Sequence, residues 1–300
     1  MKLKVTLLCK MIDIAMIGIS IIKNIGSANQ NMKIVFYGSG NMAHAIFSGI
    51  IASKVIDPNN IYITNRSNEE VLKGYADELG VNYSYDDASL LADADFVFLG
   101  TKPYDFDALA DRIRPYIADE NKFISIMAGI SIQYIRKQLE HDNPIARIMP
   151  NTNAQVGHSV TGISFSDNYA SEDRQQVIDI VHAFGSEIEV QEDALHQVTA
   201  VTGSGPAFLY HVFEQYVEAG VKLGLDKEEV EESIRNLIIG TGKMIERSDL
   251  SMEQLRQNVT SKGGTTQAGL DALSQHDIEG IFEDCFNAAV KRSKELSNED

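Results

Sequence analysis

Two stretches of this sequence carry residues whose types and spacing suit chemistry. The first is Gly38-Ser39-Gly40-Asn41-Met42-Ala43, a G-x-G-x-x-A turn. Between a strand and a helix, such a turn binds a diphosphate. Gly38 permits the tight bend, Gly40 lets the backbone approach the phosphates, and Ala43 keeps helix and strand close. Three G-x-G triplets occur, at 38–40, 203–205 and 240–242. Only the first leaves a predicted strand for a predicted helix, the context that gives the motif its meaning; the plain alternative is an ordinary glycine-rich turn. The second stretch, Thr64-Asn65-Arg66-Ser67, ends the next predicted strand. It lacks the Asp or Glu that holds a ribose 2′-hydroxyl in NAD-binding folds. Arg66 suits a 2′-phosphate instead, with Asn65 and Ser67 donating hydrogen bonds. This favours NADPH, with NADH weaker; the competing reading of Arg66 is a surface charge in a turn.

The elements that must position these residues follow from the apolar runs. Residues 33–37, 61–64, 96–99, 123–126 and 145–148 read as strands, with 160–165 and 187–190 extending the sheet. Helices are expected from Asn41 to Ala52 and from Glu69 to Leu79. Such alternation predicts a parallel, doubly wound, Rossmann-like sheet over residues 32–192. Ligands of such sheets lie beyond the carboxyl ends of the strands. That places Gly100-Thr101-Lys102-Pro103 at the middle of the cofactor and Met127-Ala128-Gly129 beside the nicotinamide. Lys102 reads equally well as a phosphate partner and as a loop charge.

From Asp193 strands disappear and an all-α domain over 193–300 is expected. Helices are predicted over 206–223, starting at Pro206, over 227–247, and from Ile278 onward. Phe208, Val212, Phe213, Ile238 and Ile239 widen the apolar stripes beyond one face, which calls for a partner surface and predicts a homodimer. Cys285 falls on an apolar stripe and reads as core. The Gly-Ser-Gly-Pro run at 203–206 reads as a helix break, because Ser204 lacks both an evident base and nucleophile-elbow spacing.

Composition removes several classes of function. With 43 acidic against 26 basic residues the net charge is −17, a field that repels nucleic acid. Two cysteines make neither a disulfide framework nor a zinc site, and none of the seven histidines pairs at metal-ligand spacing. Residues 1–31 differ from the rest, with Lys2, Lys4, Lys10 and Lys23 against Asp13 alone. The apolar stretch there is too short for a membrane span. It resembles a signal peptide, with Gly26-Ser27-Ala28 in the place of a cleavage site. The favoured expectation is a non-native leader, with a cytoplasmic protein beginning at Met32.

Five motifs then occur in order: GSGNMA at 38–43, Thr101-Lys102-Pro103, Met149-Pro150-Asn151-Thr152, Gly203-Ser204-Gly205-Pro206-Ala207, and Asn258-Val259-Thr260-Ser261-Lys262-Gly263-Gly264-Thr265-Thr266. Together they closely resemble the pyrroline-5-carboxylate reductase family from Met32 to about Leu296. The resemblance implies an NADPH-binding N-terminal domain, an interlocked helical dimer with higher oligomers of dimers, and a substrate site where the domains meet. It implies substrate contacts from Ser261, Gly263, Gly264, Thr265 and Thr266, a catalytic role for Thr266, and a cofactor contact from Asn258. Without the resemblance, Thr265 and Thr266 read as helix caps. The chain departs from the family at Lys262, where Pro is usual. Pro would preset φ and stiffen the loop, whereas Lys loosens it and adds a charge.

Two rival functions make different demands on the residues. A β-hydroxyacid dehydrogenase-like enzyme places a catalytic Lys on the first long interdomain helix, and here no Lys follows Pro206 until Lys222. A non-catalytic NADP-sensing protein would not need the 260–266 loop intact.

Overall fold

The computed structural model describes residues 31–297, so the leader expectation falls almost wholly outside the described residues. The chain forms two compact units. The first runs to Gly203 and takes back the residues from Val290 onward; the second is Ser204–Ala289.

The first unit is built on an eight-stranded sheet: β1 (Ile34–Tyr37), β2 (Ile61–Thr64), β3 (Asn82–Tyr83), β4 (Phe96–Leu99), β5 (Lys122–Ser125), β6 (Ile145–Met149), β7 (Ser159–Phe165) and β8 (Gly185–Glu189). Their order in the sheet is β3-β2-β1-β4-β5-β6-β7-β8. Every residue of β1 and β4 is buried, because a central parallel strand is covered on both faces and reads as a continuous apolar run. Pleating divides these residues between two cores. Phe36 stacks on Phe98 at 4.3 Å and meets Phe47 of helix α1 (Asn41–Ala52) on one face. Val35, Tyr37, Val97 and Leu99 share the other face with Phe106 and Leu109.

The sheet is not wholly parallel. β6 and β7 pair antiparallel, because only the 3-10 turn Thr152–Val156 stands between them. A parallel return needs a crossover of a dozen or more residues. β7 and β8 are parallel, with a helix between them. The edge strand β3 escapes the sequence reading because two residues are too few to carry a pattern. Helix α2 (Glu69–Leu79) is N-capped by Asn68 and ends at Gly80 in the left-handed region. The remaining helices of this unit are α3 (Asp87–Leu91), α4 (Phe106–Ile113), α5 (Ile132–Leu139), α6 (Ser171–His182) and α7 (Leu195–Val198).

The change of pattern at Asp193 precedes the boundary between the units. The π turn Thr199–Gly203 follows α7 directly. Its Thr202 carbonyl accepts from Asn151 Nδ2 at 3.0 Å, and Gly162 of β7 leaves room for Val198 and Leu195. Instead of a plain break, the 203–206 run joins this π turn to the next helix through one bend at Ser204.

The second unit contains α8 (Gly205–Lys222), α9 (Lys227–Glu246), α10 (Met252–Asn258), α11 (Thr265–Leu273) and most of α12 (Ile278–Leu296). Within a single chain its buried apolar side chains are Pro206 and Val230. Leu209, Tyr216, Leu237, Ile239 and Ile281 are each at least half exposed. Cys285, expected in a core, is free and half-buried, since the single chain's helices enclose so little. Among the described residues, no helix is long and apolar enough to cross a membrane.

Candidate functional site

The carboxyl ends of β1, β2 and β4 are laced together by their backbones. Gly38 N donates to Thr64 O at 2.9 Å and Gly100 N donates to Tyr37 O at 2.8 Å. Gly38 holds φ +116°, and a Cβ on it would overlap the Gly100 carbonyl. This glycine is therefore required by the protein's own backbone as well as by the bend. Gly40 differs: a Cβ there meets no protein atom within 4 Å, so the space in front of it is free for a ligand. Gly40 is the N-cap of α1, with no side-chain capping bond and no acidic residue in the first turn. The first N–H groups of a helix lack intrahelical partners. Here they face open space with a positive helix end, an arrangement that fits a diphosphate.

The cavity in front of this turn has a volume of about 1020 Å³. Among the residues proposed from the sequence, it is lined by 38–43, Asn65, Arg66, Ser67, Thr101, Lys102, Pro103 and Ala128. Asn65 organises the β2 end. Its Nδ2 donates to Ser39 Oγ at 3.2 Å and to the Asn68 carbonyl at 2.8 Å. Its Oδ1 accepts from the N–H groups of Ser67 and Asn68 and from Tyr85 OH. Arg66 is exposed and pairs with Asp105, Nη1 to Oδ1 at 3.1 Å. Thr101 Oγ1 donates to Met127 Sδ at 3.5 Å.

Two charged cavity-lining residues, Asp105 and Arg112, lie outside the residues proposed from the sequence. Arg112 Nε pairs with Asp87 at 3.0 Å, and Asp87 also accepts from Tyr37 OH at 3.2 Å. Burial, then the neighbouring Asp87, pushes the Tyr37 phenol well above its ordinary range, so it remains a neutral donor. Leu109 and Arg112 stand four and seven residues after Asp105, the N-cap of α4, and this spacing on one helix face is the signal that places them beside the loop.

Gly129, expected beside the nicotinamide, has a second neighbour within the protein. It is not among the lining residues. Its φ is +76°, and a Cβ would lie 2.6 Å from the Leu296 carbonyl oxygen. The glycine thus admits the end of α12 against the loop that follows β5. The next turn is fixed as well. Ser131 caps α5 by accepting from Tyr134 N at 3.1 Å. Glu192 accepts from Ile132 N at 2.8 Å and from Arg147 Nη1 at 2.9 Å.

The second unit carries the 261–266 loop. Gly264 N donates to Ser261 O at 3.0 Å, closing a four-residue turn, with Gly263 at φ +73°. Positive φ at the third position is the type II pattern, whose second position takes φ near −60°. Lys262 occupies that second position, where Pro would have the angle built in. Replacing Lys262 by Pro is expected to stabilise the protein by about 0.4–1 kcal/mol, read by denaturant unfolding; a loss of stability would show that Lys262 does not hold that φ. Gly264 is the N-cap of α11, and Thr265 and Thr266 are its first two residues, with no side-chain cap. The capping alternative for the two threonines is therefore not realised. Asn258 is the last residue of α10, which starts in a capping box of Ser251 and Gln254. It belongs to the second unit.

Among the described residues no cluster of three or more His, Cys, Asp or Glu is placed to hold a metal. The first unit's architecture is that of a nucleotide-dependent oxidoreductase. Residues 33–129 match a family model described as NADP oxidoreductase coenzyme F420-dependent, and residues 192–296 match one described as pyrroline-5-carboxylate reductase dimerisation. The pyrroline-5-carboxylate reductase of Staphylococcus saprophyticus is 74% identical over 269 residues, 90% of this chain and 99% of that protein. Among solved structures, the pyrroline-5-carboxylate reductase of Coxiella burnetii matches with TM-score 0.85 and 33% identity, covering 89% of this chain and 99% of that one. Plasmodium falciparum pyrroline carboxylate reductase with NADP bound matches with TM-score 0.75 and 28% identity, covering 90% and 99%. The chain belongs to the pyrroline-5-carboxylate reductase family.

Proposed function

We propose that this chain reduces 1-pyrroline-5-carboxylate to L-proline with NADPH, and more weakly with NADH, as the last step of proline biosynthesis. The observation that carries the reading is the bare start of α11. Its N-cap is a glycine, its first turn holds no acidic side chain, and its N–H groups are uncapped. The substrate of such a reductase is a small ring with a carboxylate, and a helix start of this kind holds a carboxylate.

Reduction of the imine needs a hydride at carbon and a proton at nitrogen, and the bound dinucleotide supplies the hydride. The chain's own contribution is position and electrostatics. The α1 amides and Arg66 hold the cofactor's phosphates, with Ser39, Asn65, Ser67, Thr101, Lys102 and Pro103 along its length. Ser261, Gly263, Gly264 and Thr265 present the substrate loop. Thr266 hydrogen-bonds the imine nitrogen. A Thr hydroxyl is a weak general acid, so its task is to orient a substrate that is already partly protonated, or a water. Asn258 is assigned to the cofactor on the resemblance alone.

The uncovered apolar faces of α8, α9 and α12 support a homodimer through the second unit, on which higher oligomers would build. Dependence on intracellular NADPH supports a cytoplasmic location, which cell fractionation checks.

The test is NADPH oxidation with pyrroline-5-carboxylate, wild type beside Thr266→Ala, on material sized by sedimentation. Wild-type dimer should turn over, and the variant should lose about tenfold to a hundredfold in kcat. No turnover by folded dimer ends the functional reading; full activity in the variant removes Thr266 alone from the mechanism.

A further inference from the structure

The sequence after β2 lacks the carboxylate that NAD-binding folds place on the ribose 2′-hydroxyl. The structure brings a carboxylate to the Arg66 guanidinium from the turn after a different strand. Asp105 stands in the 3-10 turn Pro103–Asp105 after β4, and its Oδ1 lies 3.1 Å from Arg66 Nη1. Both side chains line the cavity entered by the glycine turn. We propose that Asp105 is a specificity-determining residue: with Arg66 it forms a pocket for the 2′ position that accepts two cofactors, Arg66 taking the phosphate of NADPH and Asp105 the hydroxyl of NADH. The inference rests on the reading of this cavity as the dinucleotide site.

Three observations carry it. Asp105 is the residue before α4, yet its side chain makes no capping bond, although Asp is among the best N-caps. Its carboxylate is turned to Arg66 instead. Its backbone is well fixed, since Pro103 presets one φ and Asp105 N donates to the Lys102 carbonyl at 2.9 Å. Arg66 is the more exposed partner, with its side chain 81% exposed against 33% for Asp105. An exposed pair of this kind is cheap to separate.

The two cofactors then see the pocket differently. A 2′-phosphate draws the Arg66 fork into charge-assisted bonds that outcompete an exposed carboxylate. Asp105 remains nearby as a negative charge that weakens this binding somewhat. A 2′-hydroxyl offers Arg66 little, but it donates readily to a carboxylate that is already in place.

The experiment is titration of NADPH and NADH into wild type, Asp105→Asn and Arg66→Ala, followed by nicotinamide fluorescence, with thermal unfolding confirming that each variant is folded. Asp105→Asn should raise the Kd for NADH about fivefold or more, the loss of one charge-assisted acceptor, and leave that for NADPH unchanged or lower. Arg66→Ala should raise the Kd for NADPH far more than for NADH. Equal shifts for both cofactors in Asp105→Asn, or an unchanged Kd for NADH, overturn the inference while the cofactor site stands. Failure of wild type to bind either dinucleotide overturns both together.

Discussion

Gly38→Ala should cost stability and cofactor binding at once, whereas Gly40→Ala should cost binding alone. At Gly38 two penalties add. The backbone sits at φ +116°, which an L side chain rarely adopts, and the new methyl would overlap the Gly100 carbonyl, which is backbone and cannot rotate away. The expected loss is about 2–3 kcal/mol. Relief requires moving the turn away from β4, which swings the α1 amides out of line and should weaken NADPH binding at least about tenfold. Gly40 shares the loop but has ordinary φ, and its added methyl meets no protein atom within 4 Å. Its variant should unfold within about 1 kcal/mol of wild type, yet bind NADPH more weakly because the methyl fills the ligand's approach. Thermal unfolding and NADPH titration on the same samples read both quantities. A Gly38→Ala protein of wild-type stability would falsify the assignment of that glycine to the backbone contact.

The second large effect concerns Glu192. Arg147 on β6 has a side chain only 3% exposed, and Glu192 is its ion-pair partner. The same carboxylate accepts from Ile132 N at the start of α5. Glu192→Ala therefore strands a buried guanidinium and a helix N–H together. Breaking a buried pair from one side costs about 3–5 kcal/mol; Glu192 is 27% exposed, so water recovers some of this and about 2–4 kcal/mol is expected. Denaturant unfolding measures it. Replacing both partners, Arg147→Met with Glu192→Leu, should recover most of the loss, since neither charge is then left alone. If the single variant loses less than about 1 kcal/mol, the pair is effectively solvated. If the double variant is no better than the single, the loss comes from the stranded Ile132 N–H and from packing, not from the charge.

Much of this was legible in the residues, for physical reasons. Helices α1 and α2 and strands β2 and β4 carry patterns long or apolar enough to fix their limits. The glycine turn was legible because its meaning lies in its neighbours, a buried strand before it and a helix after it. The antiparallel return of β7 was not, since a short connection dictates direction without leaving a mark on the strand itself. Gly129 reads in the sequence as a small residue beside a ligand; that it also meets Leu296, far along the chain, no local pattern reveals. Asp105 was overlooked for the same reason. Carboxylate and guanidinium come from loops after different strands, β4 and β2, and only the sheet order β2-β1-β4 brings those loops to one cavity.

The contact between Gly129 and Leu296 bears on how the protein is made. During synthesis, β5 and the glycine after it leave the ribosome long before the last helix does. The sheet can assemble early, but the loop after β5 acquires its final neighbour only when Leu296 has emerged. A nascent chain would thus pass through a stage with the glycine turn already shaped and the loop after β5 still unbraced.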